Sequence, residues 1–318
     1  MSAGVAEPVS PARGGLKSLL EADFADGTVV RQNVSLAELT TLRVGGQADW
    51  FAEPQSQADL SALVSASREH GLPVTALGLG SNFLVLDSGV RGLTVRLSAG
   101  VFAGIEADGS RLKCGAAARM KKVAAEARRC RLAGMEFLEG IPGSVGGGLR
   151  MNAGAMGSEL FDVVETVRFM DPAGEVFEMS AESIESTYRS CPLLKNQIAL
   201  GAVLKGEPDT GEAIAARMAE YSQKRWGSQP KARSAGCIFK NPEGIPAGKL
   251  VDELGLKGAT EGGAMVSQEH GNFIVNNGDA TAGDILRLID RIRERALGER
   301  GIELQTEVQI IGREDGRV

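Results

Sequence analysis

Two glycine-rich stretches concentrate the residue types that hold phosphate. The first, Gly78-Leu79-Gly80-Ser81-Asn82, follows the short apolar run Pro73–Leu77. Glycines there let consecutive backbone N–H groups converge into an anion nest, and Ser81 and Asn82 add side-chain hydrogen bonds. So short a segment reads equally well as a tight turn. The second, GIPGSVGGGLRMNAGAMG, places seven glycines between Gly140 and Gly157, with Pro142, Ser144, Arg150 and Asn152 among them. A wall without side chains lets a pyrophosphate approach the backbone closely. The length of the segment and its polar residues favour a ligand over a purely structural loop. Neither stretch is a Rossmann fingerprint, because GLGSNF lacks the third glycine of GxGxxG. No Walker A sequence exists either, since Gly248-Lys249 is followed by Leu250. A nucleotide must therefore be bound by some other fold.

Acid–base chemistry has few candidates. The only histidines are His70 and His270, which excludes a His-rich metal site and leaves little for a Ser-His-Asp triad. Proton transfer falls to Cys, Ser, Lys, Tyr or carboxylates. The cysteines are Cys114, Cys130, Cys191 and Cys237, with no CxxC spacing, so neither zinc nor dithiol chemistry is expected. Free thiols fit a reducing compartment. Cys114 and Cys130 fall on apolar positions and read as small buried thiols. Cys237 lies between Gly236 and the polar Lys240-Asn241, which suits that reading poorly.

These residues need a scaffold. At 318 residues the chain is long enough for two or three domains. Hydrophobic residues make up 43% and charged residues 24%, as in ordinary globular proteins. The net charge of −6 argues against a nucleic-acid partner. No apolar run is long enough to span a bilayer. The leader MSAGVAEPVSPARGG has no apolar signal core, so a cytoplasmic protein is expected.

Apolar periodicity predicts helices over Ser56–Glu69, Ala117–Arg131, Thr210–Trp226, around Gly248–Leu254, and from Thr281 to about Gly298. His70, just before Gly71, reads as a helix-end cap. Strands are predicted at Pro73–Leu77, Leu93–Leu97, Arg111–Cys114, Ile198–Leu204, Phe273–Asn276 and Ile302–Ile311. Val163–Met170 and Val176–Met179 form a hairpin across Asp171-Pro172-Ala173-Gly174. Strands and helices mix without strict βαβ alternation, which predicts an α+β protein in two or three lobes. Gly206-Glu207-Pro208-Asp209 breaks the pattern and marks the candidate domain boundary.

Thr41-Leu42-Arg43-Val44-Gly45-Gly46, LGLGSN, IPGSVGGG…NAGA and Tyr188-Arg189-Ser190 occur in that order. They are followed by SAGCIFKNP, AGKLVDELGLKG, GGAMVS, HGNFIVN and TEVQIIG. Over residues 31–312 this series resembles the UDP-N-acetylenolpyruvoylglucosamine reductase family. The resemblance implies an α+β, three-lobed FAD-binding protein of the PCMH or vanillyl-alcohol-oxidase type, with a C-terminal substrate-binding α/β lobe. The implied organisation is a partly disordered extension at 1–30, FAD-binding lobes at 31–98 and 99–207, and a substrate domain at 208–318. FAD would be bound non-covalently by Arg43, by Gly78, Gly80, Ser81 and Asn82, and by Ile141, Pro142, Gly143, Ser144, Gly146, Gly147, Asn152 and Gly154. NADPH would be the co-substrate, sharing one cleft with UDP-N-acetylglucosamine enolpyruvate in a monomeric enzyme.

The implied reaction passes hydride from NADPH through the flavin to the vinyl carbon, and then a proton to the neighbouring carbon. By resemblance, Arg189 pairs with the enolpyruvyl carboxylate. Glu307 sits beside it and gains proton character, and Cys237 donates the proton where many members of the family carry serine. A thiol of ordinary pKa, roughly 8.5, is the stronger acid of the two. It would also expose the enzyme to peroxide and alkylating agents. Tyr188, Ser190, Lys224, Arg225, Lys240, Asn241 and Asn277 are candidate substrate contacts, and His270 is expected on the substrate side. The short interval between Arg189 and Ile198 marks a subtype without an extra tyrosine-bearing loop, so uridine contacts made by that loop do not transfer. Two other readings stay open: another FAD oxidoreductase of the same fold acting on an alcohol or amine, and a nucleotide-binding regulator.

Overall fold

The computed structural model describes residues 24–98 and 100–312. Most of the expected N-terminal extension, residues 1–23, lies outside the described residues, and the first strand already begins at Val29.

The first lobe is a four-stranded sheet in the order Val29–Ser35, Gln47–Glu53, Val90–Arg96, Val74–Leu77. The first pair is antiparallel and the others parallel. Both faces are covered. Trp50 and Ala52 face Leu60, Leu63 and Val64 of helix α1 (Gln57–Glu69), while Phe51 and Ala48 pack with Leu36, Leu77 and Val85. The strand therefore reads as an apolar run rather than an alternating one. Ser56 caps α1 by accepting the Asp59 N–H at 3.1 Å, and His70 is its C-cap.

The second lobe is a five-stranded antiparallel sheet, ordered Val176–Ser180, Val164–Met170, Ile198–Lys205, Arg111–Gly115, Ile105–Asp108. Helix α2 (Met120–Arg129) buries Met120, Val123, Ala124 and Ala127. The glycine-dense segment is not all loop, because it contains a short helix, α3 (Val145–Met151). Its glycines are helix-averse, but packing overrides that preference. Gly148 sits so close to α2 that an added Cβ would lie 1.9 Å from Met120 Cε.

Helix α4 (Gly211–Trp226) follows the predicted boundary, yet it packs back on the second lobe. Ile214 and Met218 join that core, and Arg217 donates to Glu136 and Asp209. The GEPD stretch is less of a break than its composition suggests, because Glu207–Pro208 pairs with Leu132–Ala133.

The third lobe combines α5 (Ala247–Glu253), a three-stranded sheet (Thr260–Glu261, Ala264–Val266, Ile274–Asn276) and α6 (Ala282–Arg300). A Thr281/Asp284 capping box starts α6 and Gly301, at φ +66°, ends it. Its buried stripe of Ile285, Leu288, Ile289 and Ile292 contributes about 1.5–3 kcal/mol per side chain.

The predicted last strand is much shorter than expected. Only Gln309–Ile311 is strand, and it pairs in parallel with Phe83–Val85 of the first lobe. Glu307 thus lies just before a strand, at the point where the third lobe returns to the first. Among the described residues, no helix is long and apolar enough to cross a membrane.

Candidate active site

The loop at residues 78–82 leaves strand Val74–Leu77 and turns at Gly80, whose φ is +65°. A Cβ there would lie 2.4 Å from the Leu39 carbonyl oxygen, so the position demands glycine. The two glycine loops touch: Ser81 Oγ donates to the Pro142 carbonyl at 3.0 Å. Gly78 leaves room for the buried Ser144, whose Oγ would be 3.1 Å from a Cβ at position 78. Ile141, Pro142, Gly143, Ser144, Gly147 and Gly154 line the same cavity as Gly78, Gly80, Ser81 and Asn82. Its volume is about 210 Å³, and it shares Leu79, Ser81, Pro142 and Gly236 with an outer cavity of about 1020 Å³ lined also by Arg43, Arg96, Lys231 and Arg233. The bare backbone wall at Gly78, Gly143 and Gly147, with the Ser81 and Ser144 hydroxyls set between the loops, fits a dinucleotide pyrophosphate.

Two predicted cofactor residues, Gly146 and Asn152, do not line this cavity. Gly146 faces Ala116, with a Cβ-to-Cβ distance that would be 3.0 Å. Asn152 caps the end of α3 at φ +39°, and its amide is bonded to Glu159, Thr187 and Phe161. Arg43, at φ +59°, donates to the Glu38 carbonyl at 2.7 Å on the rim of the outer cavity.

Arg189, Cys237 and Glu307 all line the inner cavity. Arg189 adopts φ +58° in the turn closed by Thr187 and Ser190. Its Nη2 donates to the Gly154 carbonyl at 3.1 Å, and its Nε donates to Glu307 Oε1 at 2.9 Å. Glu307 is fixed by its own backbone. Its N–H donates to the Ile238 carbonyl at 2.8 Å, and its carbonyl accepts from Asn82 Nδ2 at 3.3 Å. Burial raises the Glu307 carboxyl above the usual carboxylate range, although Arg189 and Lys240 pull it down. Burial also pushes the Cys237 thiol up to about 12, with the Glu307 charge adding to the effect. The site therefore holds a buried thiol and a buried carboxyl, both with pKa values raised by burial.

The candidate substrate residues divide. Arg225 lines the outer cavity and donates from Nη1 to the Gly140 carbonyl at 2.5 Å. Lys240 acts on Glu307 through its charge. The exposed Tyr188 ring stacks on the Arg189 guanidinium, 4.9 Å from its Cζ, and Ser190 closes the turn with Thr187. Lys224 pairs with Glu220 on the exposed face of α4. Asn241 accepts the Ala247 N–H at the start of α5, and Asn277 is exposed with its N–H on the Gly263 carbonyl.

His270 packs edge-on against Phe273 rather than lining the inner cavity. Gln229 and Phe273 line both cavities and went unflagged in the sequence. Gln229 sits in a polar loop without periodicity, and Phe273 reads as an ordinary strand residue.

A side-chain-free cradle between two α+β lobes, facing the Cys237 thiol and the Arg189–Glu307 pair, fits a flavin-dependent oxidoreductase. In agreement, the model of an FAD binding domain matches residues 48–180. The model of the UDP-N-acetylenolpyruvoylglucosamine reductase C-terminal domain matches residues 229–311. The reductase of that name from Methylorubrum extorquens is 43% identical over 282 residues, covering 88% of this chain and 91% of the relative. The one from Caulobacter vibrioides is 44% identical over 283 residues, covering 88% and 93%. The crystal structure of the UDP-N-acetylenolpyruvylglucosamine reductase of Thermus caldophilus superposes with a TM-score of 0.78 at 39% identity, covering 90% of this chain and 100% of that one. The chain belongs to the UDP-N-acetylenolpyruvoylglucosamine reductase family.

Proposed function

We propose that the protein reduces UDP-N-acetylglucosamine enolpyruvate to UDP-N-acetylmuramate for peptidoglycan synthesis, using NADPH and non-covalent FAD. One observation carries this reading: Cys237, Arg189 and Glu307 meet in the cavity bordered by both glycine loops. The relatives and the Thermus structure are named for this reductase.

The loops at residues 78–82 and 141–147 hold the FAD pyrophosphate. FAD, when bound, supplies the hydride. Arg189 takes the enolpyruvyl carboxylate in bidentate geometry, exchanging Glu307 for the substrate. Glu307, already raised by burial, takes up a proton as the second carboxylate arrives. Negative charge then builds on the substrate carbon next to that carboxylate, and Cys237 delivers its proton there. A thiol raised to about 12 stays protonated at cellular pH and remains acidic enough to quench a carbanion-like centre. Arg225 would meet the sugar nucleotide's diphosphate, a role supported by its bond to the Gly140 carbonyl and its place on the outer cavity.

All four cysteines are free thiols, in keeping with a cytoplasmic location. We also take the chain to act as a monomer, with its third lobe beginning after α4.

The test is direct. Purified protein should be yellow and should oxidise NADPH only when the enolpyruvyl sugar nucleotide is present, with parallel double-reciprocal lines because both substrates use one cleft. Protein that cannot be loaded with FAD, or that oxidises NADPH regardless of the sugar nucleotide, would contradict the reading.

A further inference from the structure

Asn272 is buried, 3% exposed, and its side chain imitates a strand neighbour. Its Oδ1 accepts the Phe239 N–H at 2.8 Å, and its Nδ2 donates to the Phe239 carbonyl at 2.7 Å. Its own carbonyl accepts the Ile238 N–H at 2.9 Å. From the other side, the Glu307 N–H donates to the Ile238 carbonyl at 2.8 Å. Ile238 and Phe239, which directly follow Cys237, are thus held between Asn272 and Glu307. The Asn272 amide also interacts with the Cys237 thiol, pulling its pKa down against the larger effects of burial and Glu307.

A second layer holds Asn272 in place. Its N–H donates to His270 Nδ1 at 3.1 Å. The His270 ring lies over Gly248, where a Cβ would come within 2.7 Å of Cε1. Burial and the Lys257 charge depress the imidazole's pKa, so it stays neutral and Nδ1 remains an acceptor at cellular pH.

We propose that Asn272 is the positioning residue for Cys237: its amide stands in for a strand partner of Phe239, fixes the Cys237–Phe239 backbone and aims the thiol into the cleft. The role rests on the proposed function of Cys237 as proton donor. Without the amide, the Phe239 N–H and carbonyl would lose their partners in a buried setting, and the strip carrying the thiol would shift. Misplacement by about 1 Å costs on the order of 10²-fold in rate.

The experiment is a double-mutant cycle on the FAD-loaded full-length enzyme, using Asn272→Leu and Asn272→Asp, each alone and combined with Cys237→Ala. Stopped flow reads flavin reoxidation by the enolpyruvyl sugar nucleotide, with flavin reduction by NADPH as the control. Each Asn272 variant should slow reoxidation on the order of 10²-fold, leave NADPH-driven reduction unchanged, and increase the solvent deuterium isotope effect. Added to Cys237→Ala, neither should slow the reaction further, because a donor already removed cannot be misplaced. Asn272→Asp keeps the acceptor for the Phe239 N–H and supplies the result if Asn272→Leu does not fold. Losses that multiply with Cys237→Ala, or Asn272 variants that reoxidise at the wild-type rate, would overturn the proposal. Wild-type reoxidation in Cys237→Ala alone would instead remove the proton-donor role, and the positioning role with it.

Discussion

Arg189 and Glu307, 118 positions apart in the chain, hold each other at 2.9 Å, with side chains only 19% and 16% exposed. Three lobes cooperate in this contact. The turn carrying Arg189 belongs to the second, the segment before Glu307 belongs to the third, and the strand that follows is tied to the first. The guanidinium is already matched to a carboxylate, so a substrate carboxylate binding there, as proposed, would have to displace Glu307.

That exchange predicts proton uptake. Burial raises the Glu307 pKa above the usual carboxylate range, so this carboxyl takes up a proton more readily than an exposed one would. A second carboxylate raises it further and takes its cation. Substrate binding should therefore consume a proton, and affinity should fall as pH rises through the Glu307 pKa. Calorimetry in buffers of different ionisation enthalpy checks this, and Glu307→Gln should abolish the uptake. Arg189→Ala should weaken substrate binding roughly 10- to 100-fold, the scale of one lost charged hydrogen bond, while flavin reduction by NADPH persists.

Cys237 carries an opposite pair of expectations. Its raised pKa leaves little thiolate at neutral pH, so iodoacetamide and peroxide should react slowly, with alkylation accelerating as pH climbs toward about 12. The raised pKa thus argues for slower reaction than the vulnerability expected of an ordinary thiol. Cys237→Ser should keep substantial activity, and Cys237→Ala should lose roughly 10²- to 10⁴-fold. Mass spectrometry of alkylated peptides and stopped-flow reoxidation provide the two checks.

Gly80→Ala should weaken FAD retention. The added Cβ would press on the Leu39 carbonyl from a left-handed backbone, and the loop carrying Ser81 would move. Such strain costs on the order of 1–3 kcal/mol. Flavin release on dilution, followed by fluorescence, should increase markedly, while the apoprotein retains its circular dichroism.

Asp87 accepts the N–H groups of Ala282 and Gly283, both at 3.0 Å, and so joins the first lobe to the start of α6. Asp87→Ala should cost about 1 kcal/mol, the scale of a lost helix cap. Hydrogen exchange should quicken in the first turn of α6 more than in the five-stranded sheet.

The elements with strong periodicity were legible in the sequence. The apolar stripe of α6 and the Val164–Met170 hairpin emerge close to where spacing puts them, because one face of each is buried. Residues held by the backbone were less legible. The short helix α3 hides in glycines whose purpose is close packing on Met120. The last strand was overextended, because residues 302–308 include apolar positions that are buried without belonging to a regular ladder. Asn152 and Asn241 look like ligand residues in a polar glycine- or proline-containing segment; in the fold Asn152 is the C-cap of α3 and Asn241 accepts the first N–H of α5, roles that spacing does not reveal. Asn272 gave no signal, since imitation of a strand partner depends on contacts 33 positions away.

The most direct measurement is an anaerobic single turnover. NADPH-reduced, FAD-loaded enzyme is mixed with UDP-N-acetylglucosamine enolpyruvate, and flavin absorbance and product are followed together. The expected result is rapid return of the oxidised flavin spectrum with one UDP-N-acetylmuramate formed for each flavin. Flavin that stays reduced, or reoxidises without forming that product, would contradict the proposed reaction.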